Sequence, residues 1–161
     1  MMNTPVHEGV QLTPDDWFQQ ALGAFAVPKP AHFTDYRHCD ECAEHDDTLR
    51  RFDVHSIGAA QLCSPSWDPI TFASPEGKRY YLPAMIRLAA STLAADYYLD
   101  QLLFHLLGDG ENNTLVAACT PAQRALVVRF LIWLLEYHLD QLDNDGLGDQ
   151  LLQAVAIWDL D

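Results

Sequence analysis

The run His38-Cys39-Asp40-Glu41-Cys42-Ala43-Glu44-His45 places four nitrogen or sulfur donors within eight residues. Imidazole and thiolate are the ligands that suit Zn²⁺. On a helix His38, Cys42 and His45 share one stripe, and Cys39 lies one turn before Cys42, slightly to the side. The spacing therefore predicts a zinc site of His38, Cys39, Cys42 and His45, with three of these converging. Closure needs a donor from elsewhere or an unwound first turn. His55 and Cys63 are the nearest further donors, and no second Cys-x-x-Cys or His-x-x-x-His supplies the paired spacing of a structural finger. Two other readings use the same residues. Cys42 and His45 can simply join Leu49 and Phe52 in a packing seam. Thiols at a helix N-terminus can also exchange disulfides, but Asp40, Glu41 and Glu44 oppose thiolate formation, and no βαβ pattern precedes the pair.

Other chemistry is poorly marked. Ser91, His105, His138 and several carboxylates contain the ingredients of acid–base or nucleophilic catalysis, but no nucleophile-elbow pattern positions them. Gly108, Gly110, Gly146 and Gly148 lie in acidic turns that repel phosphate. No Glu-x-x-His pair recurs on two helices, as a di-iron bundle requires. Trp67, Asp68, Tyr80 and Tyr81 flank a short proline-rich segment and are the expected contacts for a partner. Their alternative task is to hold that segment against its own core.

The elements that must carry these residues are mainly helical. Thr13-Pro14-Asp15-Asp16 reads as a helix opening, with Trp17, Phe18, Ala21, Leu22 and Phe25 at helical spacing until Pro28, so a helix is predicted over about residues 14–26. A second is predicted over about 40–52, and a shorter one from Ser56 through Cys63. Ile70-Thr71-Phe72 and Arg79-Tyr80-Tyr81-Leu82, separated by Ser74-Pro75-Glu76-Gly77, predict a small β-hairpin near residues 70–82. Helices then follow from Pro83 to about Tyr97 and from Tyr98 to Leu107. Thr120-Pro121-Ala122-Gln123 combines a capping box with proline at the first helical position, and the helix it opens is apolar nearly all round from Leu126 to Leu135, as befits a central element. A last amphipathic helix carries Leu147, Leu151, Leu152, Val155 and Trp158. The expected fold is a mainly α, single-domain helical bundle over residues 13–161, with a hairpin insertion and a flexible N-terminus at residues 1–12.

The chain has 161 residues, of which 49% are hydrophobic, enough for one buried core. Nine Lys and Arg against 23 Asp and Glu leave a formal charge of −14. Such a field repels nucleic acid and anionic lipid, and favours cationic ligands and basic protein partners. No signal sequence or membrane span is read, and the four cysteines suit a reducing cytoplasm better than a disulfide framework.

Taken together, HCDECAEHDDTLR (residues 38–50), SPSWDPITFASPEGKRYYLPA (residues 64–84) and the capped helix from Thr120 resemble an uncharacterised family of small bacterial proteins, a domain of unknown function. The resemblance covers about residues 20–140. It implies one intact domain in a bacterial cytosol and supplies no catalytic residues. The leading functional expectation is an acidic protein-interaction module, adaptor-like or immunity-like, without catalysis. The alternatives are a zinc protein built on residues 38–45 and an enzyme acting on a small neutral or cationic molecule.

Overall fold

Thr13 opens the first helix as its residue types require. Its hydroxyl accepts from the Asp16 N–H at 3.1 Å, the Asp16 carboxylate accepts from the Thr13 N–H at 2.9 Å, and Pro14 occupies the first turn, where no donor is needed. This helix, α1, spans Pro14–Ala24 and buries Trp17, Phe18 and Ala21. The computed structural model describes residues 11–94, 97–108 and 110–159. The expected flexible N-terminus lies outside the described residues except at Gln11 and Leu12.

Eight further helices follow among the described residues: α2 (Asp40–Arg51), α3 (Ala59–Leu62), α4 (Pro75–Ser91), α5 (Leu99–Leu107), α6 (Thr114–Ala118), α7 (Pro121–Tyr137), α8 (Leu139–Asn144) and α9 (Gly148–Trp158). Short 3₁₀ turns lie at Pro65–Trp67, Pro69–Phe72 and Gly110–Asn112. Helices α4, α1, α7, α9 and α5 form a closed ring in which each packs on the next and α5 returns to α4. The core inside includes Trp17, Tyr81, Met85, Leu102, Phe130, Leu134 and Trp158. Helix α7 begins with the expected Thr120–Gln123 capping box, and Gln123 also donates to the Ala24 carbonyl at 3.1 Å, tying its start to the end of α1. Trp158 Nε1 and Asn113 Nδ2 both donate to the Leu106 carbonyl, satisfying the C-terminus of α5. No described helix is long and apolar enough to cross a membrane.

The hairpin expected near residues 70–82 does not form; the described residues contain no strand. Ser74-Pro75-Glu76-Gly77 is a helix N-terminus instead of a turn. The Ser74 hydroxyl accepts from the Gly77 N–H at 3.1 Å, Pro75 sits in the first turn, and Glu76 faces the positive end of the dipole. Strand propensity is decided by packing, and here Tyr81, Leu82, Met85 and Ile86 all bury on the core at helical spacing. Pro83, expected to start a helix, lies inside α4. The lone N–H it lacks is outweighed by the apolar surface the helix covers.

Gly77 also admits a close neighbour. A Cβ there would stand 2.9 Å from Cδ1 of Phe33, a ring that is fully buried. Gly77→Ala gains up to about 1 kcal/mol of helix propensity but overpacks by about 1–3 kcal/mol. The expected outcome is a net loss of stability, read as a lower urea midpoint at unchanged slope.

Candidate metal centre

Cys39 adopts extended backbone (φ −165°, ψ 173°) and is the N-cap of α2, its sulfur taking the Cys42 N–H at 3.4 Å. The cap turns the Cys39 thiol back over the first turn, so the two sulfurs stand 3.4 Å apart, and Cys42 Sγ is 3.7 Å from Nδ1 of His38. One ligand atom from each of His38, Cys39 and Cys42 lies within 4.8 Å of the others. The cap thus brings three donors together with the first turn of α2 still helical from Asp40, and the fourth donor that closure needs is not among them. His38 and Cys39 are exposed and Cys42 is buried, so the group opens to solvent on one side.

His45 stands apart from this group. Its ring is buried, stacked on Phe72 at 4.8 Å and tilted against Trp67 at 4.5 Å, and its Nε2 has no hydrogen-bond partner, with Glu41 Oε2 at 3.5 Å. His55, the nearest further imidazole in sequence, is packed edge-on to Phe18.

The electrostatics favour a cation. The Cys42 N–H, the His38 ring and the Cys42 thiol direct hydrogen bonds at the Cys39 sulfur and hold its thiol below the ordinary thiol range. That hydrogen bond, with the negative charge of Cys39, raises the His38 imidazole. Cys42 moves the other way, raised first by its hydrogen bond to Cys39, then by burial and by the negative Cys39, Asp35 and Glu41. Two thiolates in an acidic surrounding repel each other, and a divalent ion removes that repulsion.

Several contacts fix α2 in place. Asp46, one turn beyond Cys42 and 2% exposed, accepts from the Phe33 N–H at 2.6 Å and the Thr34 N–H at 3.1 Å through Oδ1, and pairs with Nδ1 of His32 at 2.8 Å through Oδ2. The Thr34 hydroxyl donates to the Cys42 carbonyl at 2.7 Å. Burial pushes the Asp46 carboxyl up, but the hydrogen bonds from His32, Phe33 and Thr34 outweigh it and leave the group below the ordinary carboxylate value. At the other end of α2, the Tyr81 hydroxyl donates to the carbonyls of Leu49 and Phe52, and Lys29 Nζ to those of Arg50 and Phe52. Asp46 is a positioning residue absent from the residues expected at the site. The signal that could have found it is its place on the stripe Cys42, His45, Asp46 and Leu49, all buried.

The four residues expected to contact a partner separate. Trp67 is 47% exposed and Tyr80 is partly buried, its hydroxyl accepting from the Val54 N–H at 3.2 Å. Tyr81 and Asp68 are interior, so neither offers a surface contact. Tyr81 caps α2, and burial pushes its hydroxyl well above the usual range. Asp68 accepts from the Ile70 N–H, from Gln101 Nε2 at 2.9 Å and from Nε2 of His105 at 2.8 Å. A carboxylate can be buried here because each oxygen is satisfied. The remaining residues with catalytic side chains do not join His105: the Ser91 hydroxyl bonds the Leu88 carbonyl of its own helix, and His138 packs on Trp133. No family model, curated protein or solved structure matches the chain.

Proposed function

We propose that the protein binds zinc through His38, Cys39 and Cys42. The observation that carries this reading is the donor spacing. Tetrahedral zinc, with bonds of about 2.3 Å to sulfur and about 2.0–2.1 Å to nitrogen, separates two sulfurs by about 3.8 Å and a sulfur from a nitrogen by about 3.5 Å. The corresponding separations are 3.4 Å for the sulfur pair and 3.7 Å for Cys42 Sγ to His38 Nδ1, so small side-chain adjustments bring both pairs to the spacing of zinc ligands. Three protein ligands and a solvent-facing side leave the fourth position for water, a substrate or a donor on a partner. The thiols require a reducing compartment, which supports a cytoplasmic setting.

The test is titration of reduced, chelator-treated protein with Zn²⁺ at neutral pH, followed by calorimetry in buffers of different ionisation enthalpy. Binding of about one ion per chain is expected, with release of protons from the ligand side chains, because thiols and an imidazole must be deprotonated to bind the ion. Stoichiometric zinc that leaves the thiols fully open to alkylation would remove the proposal.

A second reading, an interaction module without catalysis, is supported by the exposed aromatics Trp67 and Phe72 beside α2 and by the charge of −14. It pairs naturally with the first, since a basic partner that brings one donor would complete the zinc shell. Capture of such a partner should weaken as salt rises.

A further inference from the structure

Cys39 and Cys42 also stand in a chemical relation that involves no metal. Their sulfurs are 3.4 Å apart, and a disulfide holds two sulfurs at about 2.05 Å. The Cys39 sulfur is brought to this position by its extended backbone and by the Cys42 N–H it accepts, before any oxidant acts. The two thiols differ in access: Cys39 is exposed and Cys42 is 7% exposed. A small reagent therefore meets the Cys39 sulfur first, with the Cys42 sulfur behind it. Cys119 is buried and Cys63 partly so, and neither belongs to the group of converging donors.

We propose that Cys39 and Cys42 form a reversible dithiol–disulfide couple, in which Cys39 reacts with a small organic disulfide and Cys42 resolves the product. In the first step the Cys39 thiolate attacks one sulfur of the small disulfide, forming a mixed disulfide and expelling one thiolate. In the second the Cys42 thiolate attacks the Cys39 sulfur, forming the Cys39–Cys42 bond and expelling the other. The protein gives up two electrons and two protons, and the small disulfide becomes two thiols.

The second step joins sulfurs of one chain that are already neighbours, so it is fast relative to a collision with a further thiol in solution. The route works with the few per cent of thiolate that an ordinary thiol holds at neutral pH. It does not depend on the neighbouring carboxylates, Asp40, Glu41 and Glu44, that oppose ionisation. In a reducing compartment the couple rests as the dithiol and oxidises when the supply of small disulfide rises. One consequence rests on the zinc reading: the disulfide removes two of the three donors, so oxidation releases the ion and bound zinc shields the thiols.

The test equilibrates the reduced full chain in metal-free mixtures of reduced and oxidised glutathione, followed by acid quenching, alkylation and peptide mapping by mass spectrometry. The expected result is a Cys39–Cys42 bond that accumulates with the oxidised fraction and disappears when dithiothreitol is added. Cys42→Ser, unable to resolve, should accumulate the glutathione adduct on Cys39. Cys39→Ser should form its adduct on the buried Cys42 at least about tenfold more slowly. Far-UV circular dichroism shows that both serine variants remain folded. Absence of the Cys39–Cys42 bond in fully oxidised buffer with the helices intact, a bond from either residue to Cys63 or Cys119 instead, or equal adduct rates in the two variants would each overturn the proposal. If the bond forms at the same rate with and without equimolar zinc, the couple stands and the zinc reading falls.

Discussion

Cys39→Ala is expected to weaken zinc binding by more than about a hundredfold, the scale exceeded when a direct ligand is lost and not merely its supporting shell. The substitution removes one of the two sulfurs, the helix N-cap and the group that the His38 ring addresses. Loss of a cap also costs about 1 kcal/mol of stability, so the affinity must be read on protein shown to be folded. Cys39→Ser separates the two effects, because a hydroxyl restores the cap but remains a poor zinc ligand. It should recover the stability and not the affinity. His38→Ala should weaken zinc in the same sense. His45→Phe should leave the affinity within about threefold, a change of less than about 0.7 kcal/mol, since the ring is held between Trp67 and Phe72 and outside the three-donor group. A strong loss in His45→Phe with Cys39→Ala unaffected would overturn the assignment.

Asp46→Ala is expected to be the most destabilising single change near the site, costing about 1–3 kcal/mol for each buried donor it leaves without an acceptor. It leaves two buried N–H groups, on Phe33 and Thr34, without their acceptor and frees His32. The segment ahead of Cys39 is held to α2 by those bonds, so zinc affinity should fall along with the chemical-denaturation midpoint. Asp46→Asn keeps an acceptor oxygen and should cost less. It also isolates the acid response. The Asp46 carboxyl lies below its ordinary value in the folded protein, so the stability it contributes is complete above the ordinary carboxylate pKa and is lost as the pH falls through the lower folded value. Asp46→Asn should flatten the stability profile in that acidic window, and an unchanged profile would show that the clamp does not couple to folding.

The helices that begin with strong local chemistry are legible in the residue order alone. Thr13 and Thr120 each combine a hydroxyl cap, a following proline and a partner three residues on, an arrangement complete within four residues. The same kind of signal at Ser74 reads as a turn, because Ile70, Thr71, Tyr80 and Tyr81 favour strands in isolation. Tertiary burial of Tyr81, Leu82 and Met85 decides otherwise. Asp46 and His105 are hidden for a related reason: a carboxylate or imidazole in a polar run looks solvated until the segments that supply its hydrogen bonds, residues 32–34 and Asp68, are brought to it.

By itself the amino-acid order determined a mainly helical acidic chain, the limits of its best-capped helices and the presence of closely spaced thiols and imidazoles, because each of these depends on neighbours a few residues apart. The tertiary structure alone decided that His38, Cys39 and Cys42 converge while His45 turns to the aromatic wall, and that Asp68 reaches across 37 positions to His105. Those outcomes depend on which faces bury together, a property of the whole ring of helices.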